Sequence, residues 1–102
     1  MKMNMNELMK QAQKMQSQMT KIQEGLADET VEGNAGGGMV RAVFTGQGDF
    51  VSIHLEKEVV SPDDIEMLED LISAAVSDGL RKAKELATDR MGPIAGGLGG
   101  MF

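Results

Sequence analysis

The stretch MVRAVFTGQGDFVSIHL, residues 39–55, carries the strongest structural signal in this chain. Val40, Ala42 and Phe44 alternate with other residues, and a second alternating run begins after the loop at residues 46–49. Two alternating runs separated by a short glycine-containing loop are typical of an antiparallel β-hairpin. One face of this hairpin is cleanly apolar, and we expect it to cover a helix.

The opposite face of the hairpin is mixed and offers a place for a second subunit. Strict alternation puts Val43 and Phe50 on that face, and we predict that both lie at a homodimer interface. A chain of 102 residues buries only about two-thirds of the surface that its unfolded form exposes. Long helices in such a chain would need a partner to cover them.

A long amphipathic helix is predicted before the hairpin. Its apolar residues recur at alternating spacings of three and four, and neither proline nor glycine interrupts them before Gly25. This spacing is typical of a seam in a coiled coil, and the abundance of methionine makes the seam adaptable. The seam consists of Met5, Leu8, Ala12, Met15, Met19, Ile22 and Leu26.

A second long helix is predicted after the hairpin. Ser61 can cap it, and Pro62 suits its first position. Gly79 lies within its apolar face and costs about 1 kcal/mol of helix propensity relative to alanine, which indicates a close approach of another backbone. The helix is expected to end at residues 91–93, Met-Gly-Pro, and residues 92–102 are predicted to form a flexible glycine-rich tail.

Together these elements predict an α+β fold. It has a long N-terminal helix, a small antiparallel sheet of about three strands that includes a short strand at residues 30–32, and a long C-terminal helix. A single domain is expected to cover residues 1–91. The glycines of residues 33–38 are expected to form a loop or bulge with unusual backbone angles. A phosphate-binding loop is disfavoured there, because the cluster leads into a strand and lacks the required lysine followed by serine or threonine.

The composition argues against an enzyme and against a cofactor or metal site. The chain has no cysteine, which excludes disulfides, zinc-thiolate sites and thiol nucleophiles. His54 is its single histidine, and nothing in the sequence identifies a catalytic partner for it. No apolar run approaches the ~20 residues that a membrane span needs, and the first residues do not resemble a signal peptide. A cytoplasmic location is expected.

Charge is distributed unevenly along the chain. The net charge of −6 alone argues against a nucleic-acid partner. However, residues 1–23 carry four lysines against one acid, residues 24–80 carry thirteen acids against two basic residues, and residues 81–102 carry four basic residues against two acids. If the two helices run antiparallel, the basic segments meet at one end of the molecule. A dimer would then present two positive tips to a polyanion.

The basic residues of these two segments are the predicted contacts to DNA phosphates. Phosphate contacts hold a duplex without reading its sequence. The chain has only three aromatic residues, all phenylalanine, and few arginines, so base stacking and base reading should be limited. A solvated helix surface is the alternative interpretation of any one lysine stripe. The predicted contacts are Lys2, Lys10, Lys14, Lys21, Arg81, Lys82, Lys84 and Arg90.

Two long stretches resemble the YbaB/EbfC family of bacterial nucleoid-associated proteins. They are residues 32–56, EGNAGGGMVRAVFTGQGDFVSIHLE, and residues 67–86, MLEDLISAAVSDGLRKAKEL. The likeness extends over nearly the whole chain, although Ser77 stands where asparagine is usual, Gly79 stands where alanine is usual, and the glycine-rich end lacks the usual proline. The resemblance implies a tweezer-like homodimer that binds DNA with little or variable sequence preference.

We therefore expect a nucleoid protein of the cytoplasm that binds double-stranded DNA as a homodimer. Its coating or bridging of DNA would affect nucleoid organisation and gene expression. No small-molecule substrate, cofactor or membrane is expected as a partner. The alternative is a protein-interaction module in which the methionine-rich seam docks a partner helix.

Overall fold

The computed structural model describes residues 4–99 as two helices joined by a three-stranded sheet. The sheet is antiparallel throughout, in the order β1-β2-β3. The predicted α+β class and order of elements are confirmed. The elements are α1 (Met5–Ala27), β1 (Thr30–Ala35), β2 (Val40–Thr45), β3 (Phe50–Leu55), a 3₁₀ turn (Lys57–Val59) and α2 (Ile65–Gly99).

Helix α1 is capped and becomes progressively buried toward its end. The side chain of Asn4 accepts a hydrogen bond of 2.8 Å from the backbone N–H of Glu7, which satisfies one of the free donors of the first turn. Along the predicted seam, Met5 is exposed, Met15 is half-buried, and Leu26 is fully buried. Only the last part of α1 therefore packs into the fold.

Strand β1 is longer than predicted, because Gly33 continues it. A Cβ on Gly33 would lie 2.1 Å from the carbonyl oxygen of Ala75 and 2.2 Å from the backbone nitrogen of Gly79. The backbone of α2 thus rests directly on β1, which confirms the close approach predicted at Gly79. The turn that follows uses positive φ angles at Gly36, Gly37 and Gly38, as the glycine cluster predicted.

The hairpin has its predicted apolar face but also contains a bulge. Val40, Ala42 and Phe44 are buried under α2, which confirms that this face covers a helix. Between Val43 and Phe44 the register shifts, so that Phe44 pairs with Phe50, and the two phenylalanine rings meet edge-on with centroids 5.9 Å apart. The prediction that Phe50 shares a face with Val43 is wrong, because the bulge inserts a residue and breaks the alternation.

Helix α2 begins and ends later than predicted. Ser61 does not cap it; residues 61–64 form a turn, and Asp64 accepts the backbone N–H of Met67 at 3.1 Å. At its other end α2 passes through Pro93 and continues to Gly99. Proline removes one helical hydrogen bond but has a φ angle that suits a helix. The predicted tail thus includes a helical segment, and residues 100–102 lie outside the described range.

The core lies between α2 and the first two strands. Val40, Ala42, Phe44, Val59 and Ala75 form its buried cluster. Helix α2 packs mainly on β1 and β2, which leaves the helix-facing side of β3 largely open. Within residues 4–99, neither helix carries a stretch apolar enough to cross a bilayer.

Candidate nucleic-acid interface

Three lysines of α1 lie on the side of the helix away from its apolar seam. Lys10, Lys14 and Lys21 are all exposed and extend over about 17 Å of the helix axis at 1.5 Å per residue. Among the residues that the structure describes, none of the three forms an ion pair. We call these three residues the α1 lysine face. Lys2, the remaining predicted contact in this segment, lies outside the described residues.

Most of the basic residues of α2, unlike those of the α1 lysine face, are paired with carboxylates. Arg81 donates to Asp78 at 2.7 Å and to Glu85 at 2.6 Å. Lys82 lies 3.0 Å from Asp78 and donates to the carbonyl oxygen of Glu32 at 3.0 Å. Both cations are thus already partly neutralised, and Lys82 is also tied to the sheet.

Asp78 is the centre of this network and connects α2 to β1. It accepts the backbone N–H of Asn34 at 2.9 Å in addition to its two cations. The Asn34 hydrogen bond is the largest cause that holds the pKa of Asp78 well below its ordinary value of 3.8, followed by the bonds from Arg81 and Lys82. Asp78 is therefore ionised at neutral pH and serves the fold.

Arg90 is paired in the same way at the junction of α1 and β1. Its guanidinium donates two hydrogen bonds to Glu29, one of them from Nε at 3.2 Å. The pair lowers the pKa of Glu29 and raises that of Arg90. Lys84, by contrast, is exposed and forms no ion pair with the described residues.

The topology places the basic residues along the molecule. Contacts along α2 run from Asp78, beside Asn34, to Arg90, beside Glu29, so α2 is antiparallel to β1. The molecule is 70 Å long, whereas α2, with its 35 residues, measures only about 53 Å. The molecule is longer than α2 because α1 projects past the end of α2. Arg81 thus lies over the sheet, whereas Lys10 lies on the projecting helix. The basic residues are spread along the molecule and do not gather at one tip.

Val43 and Phe50 are placed on opposite faces of the sheet. Val43 is half-buried on the face away from α2, whereas Phe50 is 60% exposed on the face toward α2. Ile53 lies beside Phe50 on that face and is 40% exposed. It is open because α2 lies over β1 and β2. An uncovered apolar surface therefore runs along β3.

The single histidine has an ordinary environment on the outer face. Nε2 of His54 lies 3.0 Å from a carboxylate oxygen of Glu56, which also lies 3.7 Å from Arg41. Within the described part of the chain, no group of three or more histidine, cysteine, aspartate or glutamate side chains could hold a metal ion.

Comparisons with known proteins agree on one family. A family model described as the YbaB/EbfC DNA-binding family matches residues 1–98. A nucleoid-associated protein of Acetivibrio thermocellus is 55% identical over 96% of this chain and 87% of its own length. A nucleoid-associated protein of Chloroflexus aurantiacus is 51% identical over 98% of this chain and 100% of its own.

A solved structure has the same fold. The crystal structure of an uncharacterized protein from Helicobacter pylori superposes with a TM-score of 0.81 and covers 92% of this chain and 99% of that chain. Its sequence identity is 21%, so the likeness concerns the fold alone.

Proposed function

The chain belongs to the YbaB/EbfC DNA-binding family of nucleoid-associated proteins, and on that basis we propose that it binds double-stranded DNA as a homodimer with little sequence preference. The observation that carries this proposal is the α1 lysine face. It presents three exposed cations that no described carboxylate neutralises. By coating or bridging DNA in the nucleoid, such a dimer would contribute to nucleoid organisation and to the regulation of gene expression.

The chemistry of the α1 lysine face favours phosphates over base edges. Lysine is a compact point charge, whereas bidentate recognition of guanine needs an arginine fork. Arg81 and Arg90 are held in ion pairs, so neither offers a free fork. Weak sequence preference follows from this arrangement.

The basic residues of α2 and Lys2, which lies outside the described residues, complete the proposed contact set. Lys84 is the member of α2 that is ready to contact a phosphate without breaking a pair. The ion pairs of Arg81, Lys82 and Arg90 lie at the surface, where such pairs are individually weak. These cations can therefore share a phosphate at some cost to their present bonds. We rank them below the α1 lysine face.

The uncovered surface along β3 supports the homodimer. Phe50 and Ile53 are exposed there, and exposed apolar patches commonly mark association surfaces. A second copy that covers this side of β3 would bury Phe50. For Val43 to take part in the same interface, the contact must extend around the edge of β3 to the outer face.

A salt titration of duplex binding tests the proposal. Several unrelated duplexes of equal length are titrated with protein at increasing salt concentrations, and the molar mass is measured by sedimentation equilibrium. We expect similar affinities for all duplexes, a steep decline with salt, and twice the mass of the 10.9 kDa chain. Binding that hardly responds to salt would contradict the phosphate contacts, and a single species of monomer mass would contradict the dimer.

A further inference from the structure

The first turns of α1 carry an apolar face that the described chain leaves open. Met5 is 77% exposed, Leu8 46% and Met9 56%. Met5 and Leu8 belong to the seam that is buried farther along at Leu26, and Met9 lies beside them. We call Met5, Leu8 and Met9 the α1 tip face.

The tip face lies beyond the reach of α2. Gln23 of α1 and Met91 of α2 line the same groove between the helices, and both helices rise by about 1.5 Å per residue. Because the two helices run in opposite directions, the last described residue of α2, Gly99, is level with about Met15. The described part of α2 therefore stops before the tip face begins.

This face is held in helical form before any partner arrives. Asn4 caps the first turn through the N–H of Glu7, and Leu8 already donates its N–H to the carbonyl oxygen of Asn4 at 3.1 Å. A partner would meet a formed helix, so the ordering cost that usually opposes binding is small.

We propose that the α1 tip face packs against the same face of a second copy of this chain, with the two helix ends antiparallel. The spacing of three and four residues runs unbroken from Met5 to Leu26, and this is the pattern by which helices pair with one another. The seam is thus continuous with the contact between α1 and α2 that the fold already makes, and a two-fold contact uses the same patch on both copies.

The position of the lysines adds a functional consequence. Lys10 and Lys14 lie on the opposite side of the helix from the tip face, so a tip contact leaves them free to hold phosphates. This inference goes beyond the proposed DNA binding, because it connects protein molecules that are bound to DNA. Two DNA-bound tips that pair would hold two DNA segments together.

The size of the tip face sets the strength of this contact. Stable interfaces bury about 1,200 Å² or more in total, which three side chains per copy cannot supply. The tip contact is therefore weak between free molecules and becomes effective when DNA raises the local concentration of the protein.

Cross-linking from a single introduced thiol tests the contact. The chain has no cysteine, so Leu8→Cys and Asn6→Cys each provide one reactive group, on opposite sides of the same helix. With a short bismaleimide we expect Leu8→Cys to yield linked chain pairs, increasingly so with protein concentration and with added duplex, and Asn6→Cys to yield few. Equal yields from the two variants, or no linked pairs from Leu8→Cys, would overturn the proposal.

Labelling with a monofunctional maleimide tests whether the protein's own chain, and not a second copy, covers the tip face. At low protein concentration the thiol at position 8 should react rapidly, and protection should grow as concentration rises. Protection that is the same at every concentration would mean that the protein's own chain covers the tip face, and the proposal would then be wrong.

A bridging assay separates this inference from DNA binding itself. Immobilised duplex captures a second, labelled duplex only if protein joins the two. We expect Leu8→Gln to lose most of this capture and to bind a single duplex as the parent does. If Leu8→Gln captures as much labelled duplex as the parent, the tip contact does not join DNA segments. Failure of the parent to bind any duplex would instead refute the proposed function.

Discussion

The two helices carry similar numbers of basic residues but use them differently. On α1, Lys10, Lys14 and Lys21 point into solvent without a described ion pair, whereas on α2 Arg81, Lys82 and Arg90 are bound to Asp78, Glu85 and Glu29. Helix α2 also lies backbone to backbone on β1 through Gly33 and Gly79. Helix α2 is thus part of the folded body, and α1 projects from it. A count of charges along the sequence does not distinguish a cation that fastens the fold from one that is available to a ligand.

The strongest test of this difference is removal of the α1 lysine face. A variant with Lys10, Lys14 and Lys21 all replaced by glutamine should lose affinity for all duplexes about equally. In a dimer it removes six charges, so the logarithmic salt slope should become shallower by about five units if all six touch phosphate. Its free energy of unfolding should change by no more than about 0.5 kcal/mol, because the residues are exposed.

Lys57→Gln serves as the control for the lysine variant. Lys57 is an exposed lysine in the turn that precedes α2, away from the α1 lysine face. Its loss should leave the salt slope unchanged. If the triple variant kept the salt slope of the parent, α1 would not be the DNA-binding helix. The contrast between free cations on α1 and paired cations on α2 would then not predict which helix binds DNA.

The next largest effect is expected where α2 rests on β1. In Gly33→Ala the new methyl would lie 2.1 Å from the carbonyl oxygen of Ala75, so the helix must shift. We expect a loss of about 3 kcal/mol in the free energy of unfolding, measured with denaturant. Gly25→Ala in α1 is the matched control, because a Cβ there meets nothing within 4 Å, and it should stabilise the protein by up to about 1 kcal/mol. Equal responses at the two glycines would show that both helices are equally embedded.

The sequence predicted the elements well because their signals are local. The alternation of β2, the loop at residues 46–49, and the three-and-four spacing of α1 can each be read within one segment. The extent of β1 could not be predicted, since Gly33 is a strand residue only because another backbone approaches it. Likewise, the face on which Phe50 lies depends on a bulge that is defined by the pairing of two strands.

The candidate site was predictable only as a set of residues. The sequence identifies the cations, but their pairing depends on neighbours that the fold supplies. Arg90 meets Glu29 and Lys82 meets Glu32, separated by 61 and 50 residues respectively. The local signals in the sequence were the carboxylates three or four residues away on α2: Asp78 beside Arg81 and Lys82, and Glu85 beside Arg81. These spacings could have indicated cations already in use.

Replacement of Asp78 should release two cations of α2 from a shared carboxylate, so that they resemble the unpaired lysines of α1 more closely. Asp78→Asn keeps the shape and an acceptor for the N–H of Asn34 but removes the charge that holds Arg81 and Lys82. We expect lower stability and, in the folded protein, tighter duplex binding. Denaturation and duplex titration at one salt concentration measure the two effects. Weaker duplex binding by the folded variant would mean that the ion pairs position these cations for DNA.

The pH dependence of stability gives an independent view of Asp78. Its pKa is lower in the folded protein than its ordinary value of 3.8, so the ionised form stabilises the fold. This contribution is fully present above the unfolded pKa and is lost as the pH falls through the folded pKa. The parent should therefore lose more stability than Asp78→Asn as the pH is lowered below about 4. Parallel acid profiles would show that Asp78 contributes no stabilising bond.

The smallest predicted effect concerns Glu85, whose replacement tests the pairing of Arg81 without disturbing the fold. Glu85 is exposed and contacts Arg81 within the same helix, and exposed pairs of this kind contribute little to stability. Glu85→Gln should leave stability nearly unchanged and should strengthen duplex binding slightly, because Arg81 loses one of its two carboxylates. Glu66→Gln makes the same charge change at the start of α2. If net charge alone governed binding, both variants would bind equally well; if the pairing of Arg81 matters, only Glu85→Gln should improve on the parent at moderate salt. Equal affinities for the two variants would show that the contrast between paired and free cations has no effect on DNA binding at this position.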